Sequence, residues 1–551
     1  MNILERSYLI SLALAASLAS FAQDSLVKSD INTAAKLIDV QFSQSEVDMM
    51  YPGVKDNISN YQKIHNLKLD NSVPMSLSQS PLLPGMKLPT DQKLVNWTLA
   101  KNVQLPKNRN ELAFYSIPQL ASLLRDRKIS SVELTKFFIE RLRKYGDSLQ
   151  CVISITDDIA MRQAATADAE LKVGLHRSIL QGIPYGLKDL FAVKGTKTTW
   201  GAAPYKDQDI EEDAFVYSQL EKAGAVLIAK FTLGALAMGD YWYGGRTKNP
   251  WNLKAGSSGS SAGPASATVA GLVPFAIGTE TLGSIVSPSS TCGATGLRPT
   301  FGTVSRSGAM TLSWSLDKIG PICRSAEDAA AVFSVIHGTD GKDGSAVNAA
   351  FNYTGLADFK KLRIAYVKNY FDKLDSNAND HKVLDVYRKL GAILIPIKIV
   401  DSLLYPFDMA GIVIGSEAAA AFDELTRLNI DDQLTRQTDN DWPNYFRKAR
   451  LIPAVEYVNT NRHRYKLMED MAKIVSPWDV IITPTFSGRQ LQVTNLTGYP
   501  VVCIPTGFNK NKTPTSITLI GKLYDEATIL AVAKAYQQAT EWEDLHPEMF
   551  K

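Results

Sequence analysis

The sequence predicts an α/β fold in which helices cover a β-sheet. Three observations point there. From about Val152 onward, short apolar runs alternate with amphipathic stretches, the order expected of helices packed on a sheet. The runs "AVLIAKF", "LRIAYV" and "DVIITPT" are apolar, rich in β-branched residues and of strand length. No fixed-period repeat interrupts them, so one large domain accounts for the region better than several small ones.

The elements follow in chain order. At the start, Arg6 precedes an apolar run from about Tyr8 to Ala22, which ends in the small-x-small pattern Ser20-Phe21-Ala22. That pattern predicts an export signal over residues 1–22, cleaved after about Ala22, and a periplasmic or secreted protein. The run falls short of the roughly 20 apolar residues a spanning anchor needs, and no cysteine follows the cleavage point to carry a lipid. No other segment is long and apolar enough to span a bilayer. Residues 23–113 form an extension: the amphipathic "SEVDMMYPGVKDNISNYQKIHNL" reads as a helix, and "NSVPMSLSQSPLLPGMKLP" as an extended connector. It is too small for a core of its own and is expected to pack on the main body.

The main domain is placed at 114–551. Ser116-x-x-Gln119 and Ser130-x-x-Glu133 read as capping boxes, in which side chains satisfy the free amides of a helix start. Behind the second box, Leu134, Phe138, Leu142 and Tyr145 share one helical face. "DDIAMRQAATADAELKVG" is a helix ending at glycine. "HKVLDVYRKLGA" is a helix leading into the strand "ILIPIKIV", and "DEATILAVAKAYQQATEW" is the closing helix.

Composition excludes several functions. The 551 residues carry a net charge of +3 with both signs scattered, and no basic stripe offers a nucleic-acid footprint. The four cysteines are widely spaced and form no CxxC, so buried free thiols are expected. No HExxH or Cys/His cluster suggests a metal, and no cofactor is expected. The GxxxxGK[ST] of phosphate binders is missing. One Ser-x-x-Lys, Ser25 to Lys28, lies outside any core and reads as chance.

Chemistry concentrates between residues 255 and 290, which are rich in Ser, Gly, Ala and Thr and nearly free of charge. In "IGTETLGSIVSP", small residues precede Ser284, so successive backbone N–H groups can converge on a developing oxyanion. A Gly/Ser-rich turn without chemistry fits the same composition. A serine nucleophile needs a base, yet none of the six histidines lies in such a turn, and His381 and His463 read as solvated. A Ser-His-Asp triad assembled from distant positions stays open. Lys188, in the apolar "GIPYGLKDLFAVKGT", is the other candidate, because desolvation favours a neutral amine. A simple ion pair with Asp189 is the competing reading.

Together these segments resemble the amidase signature family of serine amidases. "GIPYGLKDLFAVKG" is similar to its lysine motif. "SGSSAGPASATVAGLVPFAIGTETLGSI" matches its Gly/Ser-rich centre and "CGATGLRPTFGTVSRSGAM…LDKIGPICRS" the segment after it; "TKNPWN" and "NLTGYPVV" also match. The resemblance runs from about residue 114 nearly to the end. It implies an α/β/α sandwich around a large mixed sheet and a Ser–cis-Ser–Lys catalytic unit. Ser284 would be the nucleophile, Ser260 the middle serine after a cis peptide, and Lys188 the base. Ser261 would give supporting hydrogen bonds, and the backbone of Thr281, Leu282, Gly283 and Ser284 the oxyanion donors.

The chain departs from the family pattern at four positions. Leu282 and Val286 replace Gly and Arg in Gly-Gly-Ser-Ile-Arg, Glu280 replaces Asp, and Ala235 in "GALAMG" stands where many members are acidic. These changes suggest less charged substrates. The implied function is hydrolysis of the carbon–nitrogen bond of a small amide or peptide amide, without nucleic acid or stable membrane insertion. The alternatives are the glutaminase subunit of an aminoacyl-tRNA amidotransferase and a non-catalytic binding protein on the same scaffold.

Overall fold

Lys188 ends one buried strand of a mixed sheet, and Ser284 lies in the turn just beyond the neighbouring strand. A computed structural model of the chain describes residues 26–67, 69–375, 378–399 and 407–551. The export signal expected over residues 1–22 lies outside the described residues. The chain divides into two compact units after Asp70.

In the first unit, helices span Lys28–Leu37 and Gln44–His65. Ser43 caps the second, accepting the Glu46 N–H while the Glu46 carboxylate accepts the Ser43 N–H. Residues 71–113, grouped with the extension by composition, belong to the second unit instead. Their extended backbone is held by amide side chains that pair with distant main chain. The Asn71 amide donates to the Thr311 carbonyl and accepts the Thr311 N–H, and Gln92 does the same with Phe351.

Among its described residues the second unit has fifteen strands. They are β1 (Val152–Ile155), β2 (Pro184–Lys188), β3 (Val226–Phe231), β4 (Tyr241–Trp242), β5 (Gly245–Arg246), β6 (Lys248–Asn249), β7 (Asn252–Gly256), β8 (Phe275–Glu280), β9 (Thr295–Arg298), β10 (Lys318–Cys323), β11 (Ile364–Val367), β12 (Leu394–Ile397), β13 (Val480–Pro484), β14 (Val501–Phe508) and β15 (Pro514–Gly521). Eleven of them make one sheet in the order β1-β3-β2-β8-β10-β9-β14-β15-β13-β11-β12. It is mixed: β2 runs parallel to β3 and β8, whereas β10 is antiparallel to β8 and β9. The interior strands β2, β3 and β10, each flanked by a strand on either side, are buried along their whole length, as expected of strands covered on both faces.

Both capping boxes form, at Ser116/Gln119 and Ser130/Glu133. Leu134, Phe138, Leu142 and Tyr145 are buried on one face of the helix Ser131–Leu149. "ILIPIKIV" contributes the edge strand β12, with Ile395 exposed. His381 is half-buried rather than solvated: its ring packs against Phe371, and its Nε2 is sequestered without a hydrogen-bond partner. His463 is exposed. Cys151, Cys292, Cys323 and Cys503 are buried free thiols. Among the described residues, no helix is long and apolar enough to cross a membrane.

Candidate active site

Three segments converge on Lys188. β2 carries the lysine at its end, β8 ends beside it at Thr279 and Glu280, and the loop Ser257–Ser261 enters the buried helix Ala262–Val269. The lysine Nζ lies 2.8 Å from Ser260 Oγ, 2.8 Å from Thr279 Oγ1, 3.2 Å from Ser261 Oγ and 3.5 Å from the Thr279 carbonyl. Lys188 is fully buried and forms no ion pair within 4 Å among the described residues. Burial lowers its pKa to about 7, although the charges of Asp317 and Glu280 act in the opposite direction.

The competing Lys188–Asp189 pair does not form. Asp189 Oδ1 lies 2.8 Å from Lys230 Nζ, and its Oδ2 accepts the N–H and hydroxyl of Thr199. Successive residues of an extended chain point to opposite faces, so a neighbour of Lys188 in sequence points away from it.

Among the competing serines, geometry separates the roles. The Ser257 hydroxyl donates to the Ser258 carbonyl, and the Ser258 N–H donates to Asp240. Ser261 Oγ donates to the Thr279 carbonyl and accepts the Thr279 N–H, both at 3.1 Å. Ser260 contacts the lysine through its hydroxyl, and the Gly259–Ser260 peptide is cis. A side chain at Gly259 would run into the Gly239 carbonyl, 1.8 Å from an ideal Cβ, so this approach needs glycine.

Ser284 joins this group through its backbone, its carbonyl accepting the Ser261 N–H at 3.0 Å. Its side chain is buried, with 8% of the residue's surface exposed, and its hydroxyl makes no hydrogen bond to Ser260 or to any other described residue. Lys188, Ser260 and Ser261 are therefore in direct contact, whereas Ser284 is placed beside them by main chain. Gly283 has φ +84°, the left-handed region, and thereby turns the chain at Ser284. No hydrogen bond between a serine of this group and a histidine occurs among the described residues.

Glu280 was missed as a functional position by sequence reasoning, which noted only its replacement of Asp. Its Oε2 accepts the N–H groups of Ile285 and Val286, both at 2.9 Å. Its Oε1 meets Arg298 at 3.0 Å and the Asn495 amide at 2.8 Å. Burial would raise this carboxyl, but Arg298, the Val286 amide, Lys318 and Asn495 outweigh it and hold the pKa at about 2. Those bonds occupy the amides after Ser284, leaving Leu282, Gly283 and Ser284 N–H groups without protein acceptors among the described residues. Thr279 was also missed as a partner of Lys188, since no pattern distinguishes it from neighbouring small residues.

The departures have structural correlates. Val286 is fully buried in an apolar cluster with Leu316, Tyr370 and Val493, against which Leu282 packs. The Ala235 carbonyl accepts the Trp442 indole N–H at 3.1 Å. Beside Thr279 and Thr281 lies a small pocket lined by apolar Leu190, Met310 and Ile319 and by charged Arg306, Asp317 and Lys318. No group of His, Cys, Asp and Glu suited to a metal ion occurs among the described residues.

A family model described as Amidase matches residues 133–494. A glutamyl-tRNA(Gln) amidotransferase subunit of Coxiella burnetii is 33% identical over 480 residues, covering 79% of this chain and 99% of its own. Among solved structures, the peptide amidase of Stenotrophomonas maltophilia has a TM-score of 0.71 at 26% identity, covering 78% of this chain and 98% of its own. A bacterial aryl acylamidase of the amidase signature family shares the fold, with a TM-score of 0.69 at 21% identity over 78% of this chain and 97% of its own.

Proposed function

The chain belongs to the amidase signature family, and from that premise we propose that it hydrolyses small neutral amides or peptide amides through an acyl-enzyme on Ser284. It is an amidohydrolase acting on carbon–nitrogen bonds. The observation that carries the assignment of roles is the 2.8 Å contact between buried, carboxylate-free Lys188 and the Ser260 hydroxyl.

In this reading neutral Lys188 takes the Ser260 proton as Ser260 takes that of Ser284. The Ser284 oxygen bonds to the amide carbon, and the backbone N–H groups from Thr281 to Ser284 receive the oxyanion. The carbon–nitrogen bond then breaks, and the departing amine takes a proton back along the same relay. Water, activated by that relay, releases the acid. The step requires the Ser284 hydroxyl to swing onto Ser260 when substrate binds.

The preference for neutral substrates rests on the sequence departures at 235, 282 and 286, which replace polar or charged residues of the family pattern by apolar ones or enlarge a glycine. Export is supported by the apolar run before Ala22, and a mature chain beginning near Gln23 is its expected product.

The test is a panel of neutral and carboxylate-bearing amides offered to the protein and to Ser284→Ala. Hydrolysis lost in the variant, with neutral amides preferred by the parent, supports the reading; a clear preference for carboxylate-bearing amides refutes the specificity. The likeness to the amidotransferase subunit favours a second reading, glutaminase activity within a transamidating complex. Rapid Ser284-dependent hydrolysis of free glutamine would favour it.

A further inference from the structure

The turn that presents Ser284 is held at both ends. Glu280 clamps its far side through the Ile285 and Val286 amides. The near side is held by a residue with no role so far. The Thr281 hydroxyl donates to Asp317 Oδ1 at 2.6 Å, and Asp317 Oδ2 accepts the N–H groups of Leu312 and Ser313 at 2.8 and 2.9 Å. The loop carrying Asp317 is anchored in turn by buried Glu417, which accepts from both Ser313 and Ser315 and from the Tyr457 hydroxyl. Arg464 donates to the Ser315 hydroxyl and carbonyl. A continuous set of charge-assisted bonds therefore runs from helices Met409–Ala421 and Ala454–Val475 to the residue three positions before the nucleophile.

Building on the amidase reading above, we propose that Asp317 is a positioning residue of the reaction: it fixes the nucleophile turn through Thr281 and places a negative charge near Lys188. Asp317 is the larger of two carboxylate influences on Lys188, Glu280 being the other, and its partners Thr281, Leu312 and Ser313 are neutral, whereas the remaining charged groups nearby have partners of their own. Asp189 is paired with Lys230, Glu280 with Arg298, and Arg306 with Asp343; Lys318 donates to the Leu316 carbonyl. Asp317 favours the protonated amine against the desolvation that opposes it. Its own carboxyl is raised by burial, offset by Thr281, the two loop amides and Arg306.

Labelling of Ser284 by a fluorophosphonate reports nucleophile activation without a known substrate. The parent protein is expected to label faster as pH rises through about 7, where Lys188 loses its proton. Thr281→Val should label about 10- to 100-fold more slowly with the midpoint unmoved, and Thr281→Ser should recover most of the rate. Asp317→Asn can accept both loop N–H groups at its amide oxygen and donate from its NH2 to the Thr281 hydroxyl, reversing that one bond, but it loses the charge, so its midpoint should move to lower pH by about one unit. Circular dichroism and thermal melting confirm that each variant is folded; if Asp317→Asn does not fold, the Thr281 pair decides. Thr281→Val labelling at the parent rate, or a folded Asp317→Asn with an unmoved midpoint, overturns the proposal. A parent protein that does not label at all overturns the amidase reading instead.

Discussion

Lys188 and Lys230 lie on neighbouring strands, and neither side chain is exposed, yet their surroundings differ completely. In the parallel β2–β3 pairing Lys230 aligns with Leu187 and Lys188 with Phe231, so the two lysines point to opposite faces of the sheet. On one face Lys230 meets the Asp189 carboxylate at 2.8 Å; on the other Lys188 meets only hydroxyls and a carbonyl. Lys230 is one half of a buried ion pair that would leave Asp189 stranded if removed, whereas an amine among neutral oxygens can give up its proton near neutrality. A one-residue step in strand register thus separates an ion-paired lysine from the one proposed as the base.

The sharpest way to break this contrast is to remove each amine. Lys188→Met should lower amide hydrolysis by about 10²- to 10⁴-fold, the usual contribution of a general base. Its stability should respond in the opposite sense. Between pH 7 and 10.5 the unfolded chain protonates Lys188 and the folded one does not, so the parent gains stability as pH rises across that window. Lys188→Met should lack that gain, read as a flatter dependence of the denaturant midpoint on pH. Lys230→Met should instead cost about 3–5 kcal/mol of stability by stranding Asp189, measured by chemical denaturation. If it abolished activity while leaving stability intact, the division between the two faces would fail. Thr279→Val tests the smallest term, the hydroxyl beside Lys188. A loss of about 1 kcal/mol, a few-fold in rate, is expected from one hydrogen bond.

Much of this was legible in the chain, and the illegible part has a common cause. Capping boxes and helical faces are local, so Ser116, Ser130 and the Leu134–Tyr145 face could be read directly. Lys188, Ser260 and Ser284 became readable through the ordered motifs that carry the family resemblance. The partners of Glu280, Asp317 and Asp189 could not be read because they lie on other strands and loops. Arg298 and Asn495 reach Glu280 from 18 and 215 residues away. Where the extension joins the main body was illegible for the same reason: Asn71 pairs with Thr311, 240 residues on, a bond that composition does not encode.

The four sulfur atoms have a consequence for where this protein can be made. Burial pushes the thiols of Cys151 and Cys503 up to about 12, and those of Cys292 and Cys323 upward as well. Oxidants and disulfide carriers react with the thiolate, which is scarce at these sites at any physiological pH and sealed from contact. In the folded protein the four thiols are therefore expected to stay reduced whether the surroundings are reducing or oxidising.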